Sequence, residues 1–252
     1  KKIFLGDGNA FGLKTEKLYE ILDLIAYYFP ECEGINMDAT VTSILHKSQE
    51  ELEMLARKKV KHLYLGIESG LDDVLKFMKK DHLAQAYQAI DRLHEAGLIY
   101  DAHIMTGVAG KGRGMENAEA LAQFLNRTNP AHVVNFSMFL HKEVPLYQDI
   151  RQGTFVPADE LETIREEYHL IERIAPEKAG ANILYDGFHD FIHVRVRGHL
   201  PGDKEKMLAK LNGIIQEYEG KEPVYSFVQG ECPDLEYCDD GKAVWDMDRK
   251  TS

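Results

Sequence analysis

Gly66-Ile67-Glu68-Ser69-Gly70-Leu71-Asp72-Asp73-Val74-Leu75-Lys76-Phe77-Met78-Lys79-Lys80 closes an apolar run that begins at Leu63. A β-type run that ends abruptly in the polar, glycine-containing Glu-Ser-Gly reads as a strand delivering the chain to a turn, with the next helical pattern beginning at Leu83. Similar β-type runs occupy residues 3–5, 35–37, 102–105 and 133–136. Helical patterning lies between them. Strands recurring at intervals of roughly thirty to forty residues with a helix between each pair have the spacing of right-handed βαβ units, and hence of a parallel sheet. Periodicity leaves open whether such a sheet closes into a barrel. In both cases ligands gather at the carboxyl ends of the strands.

The helices carry their own signals. Thr15 is expected to cap a helix bearing Leu18, Ile21, Leu22, Leu24, Ile25 and Tyr28, with Pro30 at its end. Ser48 and Glu51 stand in the relation of a capping box, with Leu52 and Leu55 facing inward. A helix over 83–95 is expected to stop at Gly97, a residue free to adopt the left-handed backbone of a C-terminal cap. Further helices are read over 115–126, 159–174 and 203–219. From about Val156 the regular alternation breaks down, which suggests a core over residues 1–156 and an α+β accessory region over 157–252.

With 252 residues and 44% hydrophobic composition, the chain has enough apolar material for a sizeable core. Its formal charge of −12 argues against attachment to nucleic acid or to an anionic membrane, since both need clustered Lys and Arg. No apolar run is long enough to span a bilayer, and the start has no signal-peptide pattern. Cys32, Cys232 and Cys238 are too few and too scattered for a disulfide framework and fit a reducing, cytoplasmic setting. Because the chain starts at Lys1 and enters a strand-like run almost at once, it reads as a fragment of a longer protein.

If ligands lie at strand carboxyl ends, the informative residues are those after each run: Gly6-Asp7-Gly8-Asn9-Ala10, Asp38, Glu68-Ser69-Gly70, Thr106-Gly107, and Ser137-Met138. Gly6 and Gly8 would let the backbone approach a ligand closely, or they form a tight βα turn. The 66–80 segment resembles the fourth-strand motif of radical S-adenosylmethionine (radical SAM) enzymes, in the group that includes the Elongator catalytic subunit, the methylthiotransferases and oxygen-independent coproporphyrinogen oxidase. The resemblance runs in order over roughly residues 1–155. It implies an α/β fold: an incomplete (β/α)6 TIM-like barrel of which strands two to six are present here.

Carried over position by position, the resemblance implies that Gly6, Asp7 and Gly8 hold the methionine amino group of SAM, and that Glu68 and Ser69 lie near its ribose and carboxylate. Lys80, or Lys79 in its place, would neutralise the carboxylate. His103 would contact the ribose, Met105 and Phe139 would flank the adenine, and Gly107 would belong to the same cofactor-binding set. Other readings stay open: a Glu68 that simply pairs with a lysine, and a hydrogen-bonded core histidine for His103. The family's Cys-x3-Cys-x2-Cys triplet is absent, so no metal ligand is expected in this chain and the cluster cysteines are expected upstream of Lys1. The resemblance then implies SAM and a 4Fe–4S cluster as cofactors, an electron donor such as flavodoxin or ferredoxin, and reductive cleavage of SAM to a 5′-deoxyadenosyl radical that abstracts hydrogen from an unidentified substrate. The rival is a degenerate barrel that binds SAM or a nucleotide without redox chemistry.

Four other features of the sequence stand apart from these motifs. Residues 107–114, GVAGKGRG, resemble a phosphate cradle without P-loop spacing and read more simply as a βα loop. His193, Arg195, Arg197 and His199 alternate with apolar residues, giving a strand with a cationic face that suits an anionic substrate or an acidic partner, or a charged edge. Glu160, Glu162, Glu166, Glu167 and Glu172 read as a solvated acidic helix face. Cys232 and Cys238 alone are weak evidence for a metal site.

Overall fold

The computed structural model describes residues 1–6 and 8–227. One seven-stranded sheet organises them, in the order β1 (Lys2–Leu5), β2 (Gly34–Ala39), β3 (Val60–Glu68), β4 (Ile99–Thr106), β5 (His132–Ser137), β6 (Ile183–His189), β7 (Val194–Leu200). The first six are parallel and β7 returns antiparallel to β6. Among the described residues β1 and β7 do not pair, so the sheet remains open: an incomplete TIM-like barrel, as the sequence led us to expect. The connections carry α1 (Thr15–Tyr28), α2 (Val41–Leu45), α3 (Gln49–Arg57), α4 (Asp72–Phe77), α5 (Leu83–Glu95), α6 (Gly114–Thr128), α7 (Pro145–Gln152), α8 (Glu160–Arg173) and α9 (Lys204–Tyr218).

Alternation along the strands separates two faces. Leu63, Leu65 and Ile67 of β3, Ala102 and Ile104 of β4, Val133 of β5, and Ile183 and Tyr185 of β6 are buried against the helices. Leu18 and Leu22 of α1, Leu52 and Leu55 of α3, and Ala89, Ile90 and Leu93 of α5 meet them. Each fully buried Leu or Ile contributes about 1.5–3 kcal/mol relative to exposure. The intervening strand residues face the other way, into a trough.

The capping box at Ser48 and Glu51 is formed, with Ser48 Oγ accepting from the Glu51 amide and Glu51 accepting from the Ser48 amide. Gly97 follows the end of α5 with φ +76°. Thr15 is the first residue of α1, not its cap: Lys14 holds the cap position without a side-chain bond, and the buried Thr15 hydroxyl instead meets Glu51. The region after Val156 adds β6 and β7 to the same sheet and lays α8 over α6 and α9. His193 stands outside β7, at a left-handed turn with φ +54°.

The acidic residues of α8 divide between two environments. Glu172 is exposed and Glu162 partly so, but Glu160, Glu166 and Glu167 are 2%, 1% and 0% exposed, because the helix turns them onto the sheet, where polar partners await them.

Candidate functional site

The trough face carries Asn36 and Asp38 of β2, Tyr64 and Glu68 of β3, Asp101, His103 and Met105 of β4, His132 and Phe136 of β5, and Asp186 and Phe188 of β6. Ring contacts run across it from Phe4 to Tyr64 (5.6 Å), Tyr64 to His103 (5.3 Å), His103 to Phe136 (5.9 Å) and Phe136 to Phe188 (5.7 Å). Its floor is polar. Asp101 is fully buried and bonded to His62 Nδ1 at 2.8 Å, while Asn36 Oδ1, the second Asp101 oxygen and His132 Nε2 have no hydrogen-bond partner among the described residues.

Glu68, His103 and Met105 therefore share one face. Glu68 ends β3 with φ +62°, a left-handed backbone that a non-glycine residue adopts only at some energetic cost. Its Oε1 accepts from Lys80 Nζ at 3.0 Å. A side chain at Gly66 would crowd this pair, since an added Cβ would stand 2.5 Å from Glu68 Oε1 and 3.1 Å from Lys80 Nζ. Gly6 and Gly8 flank the turn after β1, Gly8 with φ +89° and open space around its missing Cβ; Asp7 lies outside the described residues. Phe139, 54% exposed, follows the end of β5.

His103 is half-buried. Burial pushes its imidazole below the usual range, against the pull of Asp38 and Glu68, which favours the neutral ring with one donor and one acceptor nitrogen. Burial raises the Asp38 carboxyl, with His103 opposing.

Two expected ligand residues are committed elsewhere. The Ser69 hydroxyl is fully buried, donates to Asn117 Oδ1 at 2.7 Å and accepts from the Leu71 amide, so it holds the turn from behind. The Gly107 amide donates to Glu166 Oε2 at 2.8 Å. Elsewhere in the 107–114 loop the Lys111 amide binds the Val156 carbonyl and the Gly112 amide binds Glu162. Carboxylates occupy the places where a phosphate would need free amides, so the simple-loop reading holds.

The largest omission in the sequence reading is the polar network under these turns. Glu166 also accepts from Asn117 Nδ2 at 2.7 Å, and Asn117 Oδ1 receives the Gly70 amide at 3.1 Å. Burial lifts the Glu166 carboxyl to about 7, with the Asn117 and Gly107 donors opposing. His189 is fully buried between Glu160 and Glu167, each ring nitrogen 3.0 Å from a carboxylate oxygen. Glu160 also accepts from Ser137 and Ser226, and Glu167 from Asn135 and Tyr185. One signal was available: Asn135, Ser137 and His189 sit at strand positions whose alternation assigns them to the buried face.

Among the described residues Cys32 is the one cysteine, buried and pointing to the Gly34 carbonyl at 3.4 Å. No group of three or more His, Cys, Asp or Glu among them is arranged to hold a metal ion. Cys232 and Cys238 lie outside the described residues. No helix among the described residues is long and apolar enough to cross a membrane.

Residues 1–125 match the family model described as Radical SAM superfamily. No curated protein matches the chain. Among solved structures, the N-terminally deleted archaeal Elp3 of Methanocaldococcus infernus is similar with a TM-score of 0.61 at 17% identity, over 86% of this chain and 54% of that one. The Escherichia coli coproporphyrinogen III oxidase HemN, described as a radical SAM enzyme, gives 0.47 at 13% identity, over 73% and 50%. The FeFe-hydrogenase maturase HydG of Carboxydothermus hydrogenoformans gives 0.48 at 15%, over 83% and 45%. The chain thus spans about half the length of these structures, and at 17% identity the likeness to the archaeal Elp3 concerns the fold.

Proposed function

This chain belongs to the radical SAM superfamily, and from that premise we propose that its trough binds SAM at the carboxyl ends of β1 to β5 for reductive cleavage and hydrogen abstraction from a substrate. Membership in the family implies SAM and a 4Fe–4S cluster as cofactors. When bound, they supply a 5′-deoxyadenosyl radical, formed as one electron splits SAM into that radical and methionine. The described residues offer no cysteine set for the cluster, so no step is assigned to it through them.

For SAM the residues fit, and the observation that carries the reading is the convergence of Glu68, His103 and Met105 on one trough face, level with the open glycine turn after β1. The backbone of Gly6, Asp7 and Gly8 would bind the methionine ammonium, and Lys80 its carboxylate, with Glu68 holding Lys80 in place. Neutral His103 would bond the ribose hydroxyls, while Met105 and Phe139 would sandwich the adenine. Ser69 and Gly107 would act from behind, by fixing the turns. In this reading residues 1–156 supply the SAM-binding strands, and the accessory region that follows completes the sheet with β6 and β7. The reductant would be a small electron carrier such as a flavodoxin or ferredoxin in the cytoplasm, and the overall reaction that of an oxidoreductase or transferase.

The test uses full-length protein with its cluster reconstituted anaerobically, given dithionite and SAM. The expected products are 5′-deoxyadenosine and methionine in equal amounts, with SAM affinity reduced at least tenfold by Glu68→Ala. SAM binding without 5′-deoxyadenosine supports the rival, a barrel that binds SAM or a nucleotide without redox chemistry. Absence of SAM binding overturns both.

A further inference from the structure

The strand register carries two rows of trough-face side chains onward from the SAM side of the sheet. At the strand ends Met105 stands opposite Phe136, Phe136 opposite Phe188, and Phe188 opposite Arg195. One residue pair deeper, His103 leads through Val134 and Asp186 to Arg197. The Phe136 and Phe188 rings stack at an interplanar angle of 16°, and the Arg195 guanidinium lies 4.7 Å from the Phe188 ring centre.

These groups are not spent on the core. Phe136 is 37% exposed, and the side chains of Arg195 and Arg197 are 52% and 56% exposed. Stacked aromatic rings left open to water on the ligand-bearing face of an α/β sheet, at the end of the strands where ligands bind, mark a surface that gains by being covered. Its charge is equally specific. Asp186, nearly buried, accepts a two-point bond from Arg195 at 2.8 and 2.6 Å and lies 3.6 Å from Arg197 Nε. One carboxylate faces two guanidiniums, which leaves a net positive charge on the trough rim of a chain whose formal charge is −12. Cations that only guard an edge strand against pairing need no buried counter-charge to aim them; here Asp186 fixes Arg195 over the aromatic row.

We propose that the part of the trough formed by β5, β6 and β7 is the substrate subsite, and that it takes a small molecule with a flat apolar body and one anionic group, carboxylate or phosphate. The body lies on Phe136 and Phe188, and the anion meets Arg195 and Arg197. This assignment rests on the SAM reading for the chemistry that follows. A molecule on this row lies level with Met105 and Glu68, beside the position given to the adenosyl group.

Equilibrium titration of the full-length protein with 2-naphthoate, 2-naphthyl phosphate and neutral 2-naphthol at pH 7 tests it. At least one anion is expected to bind tenfold or more tightly than naphthol, with the tighter of the two identifying the anionic group. Arg197→Gln, at an exposed position, should erase that margin, added salt should shrink it, and Phe188→Leu should weaken all three probes. The subsite is overturned if naphthol binds as tightly as both anions, if none binds, or if Arg197→Gln leaves the margin intact. Neither cluster nor SAM is needed for this measurement, so its failure is distinct from failure of SAM cleavage.

Discussion

Replacing His189 by leucine probes the buried network at its centre. Both ring nitrogens face carboxylate oxygens, an arrangement in which a doubly protonated, positively charged imidazole donates a hydrogen bond on each side. Burial by itself depresses its proton affinity, but the bonds and charges of Glu160 and Glu167 outweigh burial and lift it to about 10. The folded value lies above the ordinary histidine value of 6.5, so the stability this group contributes is complete below about pH 6.5 and is lost as pH rises through about 10. At about 1.4 kcal/mol per unit, the loss between pH 6.5 and 9 comes to about 3 kcal/mol. Removing the cation leaves two buried carboxylates unpaired, and breaking a buried pair in this way costs about 3–5 kcal/mol, a large share of the 5–15 kcal/mol that holds a typical protein folded. Urea unfolding followed by far-ultraviolet circular dichroism at pH 6.5 and 9 measures both effects. The wild type should weaken between the two pH values, and His189→Leu should be weaker at pH 6.5 with most of that slope gone; His189→Gln serves where the leucine variant does not fold. An unchanged slope in the variants, or a wild type equally stable at both pH values, refutes the charged-histidine account.

Two further expectations concern the turns. A Cβ at Gly70 would collide with the Leu121 amide nitrogen and stand 2.5 Å from the Ala120 carbonyl carbon, so Gly70→Ala should displace α6 and destabilise by about 1–3 kcal/mol or more, whereas Gly97→Ala, with open space around it and a positive φ, should cost only about 1–2 kcal/mol; thermal unfolding of the two variants gives the order. Lys80→Met removes an ion pair whose lysine is 40% exposed, so stability should change by less than about 1 kcal/mol while the dissociation constant for SAM, read by equilibrium dialysis, rises at least tenfold. Equal SAM affinity in wild type and Lys80→Met would remove Lys80 from the site.

The strands were legible because their signal is local. Alternating or continuous apolar runs gave five of the seven, and the Ser48 and Glu51 box and Gly97 marked helix ends through neighbours three or four residues away. The cationic face of β7 was visible in the alternation of Arg195 and Arg197 with Val194 and Val196. The short helices α2, α4 and α7 escaped notice, being too brief to display a period. Three of the α8 glutamates, Glu160, Glu166 and Glu167, were misread for another reason. Charge on a helix face resembles a solvated surface until its partners are known, and those of Glu160, Glu166 and Glu167 lie far along the chain, at Asn117, Asn135 and His189. The place of the Ser69 hydroxyl was hidden in the same way: its motif marks the turn, but which way the hydroxyl points depends on Asn117 in α6.

Helix α8 acts as a keystone. Through Asn117 it reaches the turn after β3, through Glu166 the amide after β4, through Glu160 and Glu167 the ends of β5 and β6. A single rigid rod therefore sets the aperture between neighbouring strand tips from the side opposite the ligand. Selectivity in such a molecule can drift through changes at residues that never touch what is bound, because shortening or lengthening one carboxylate on the rod moves several rim positions together.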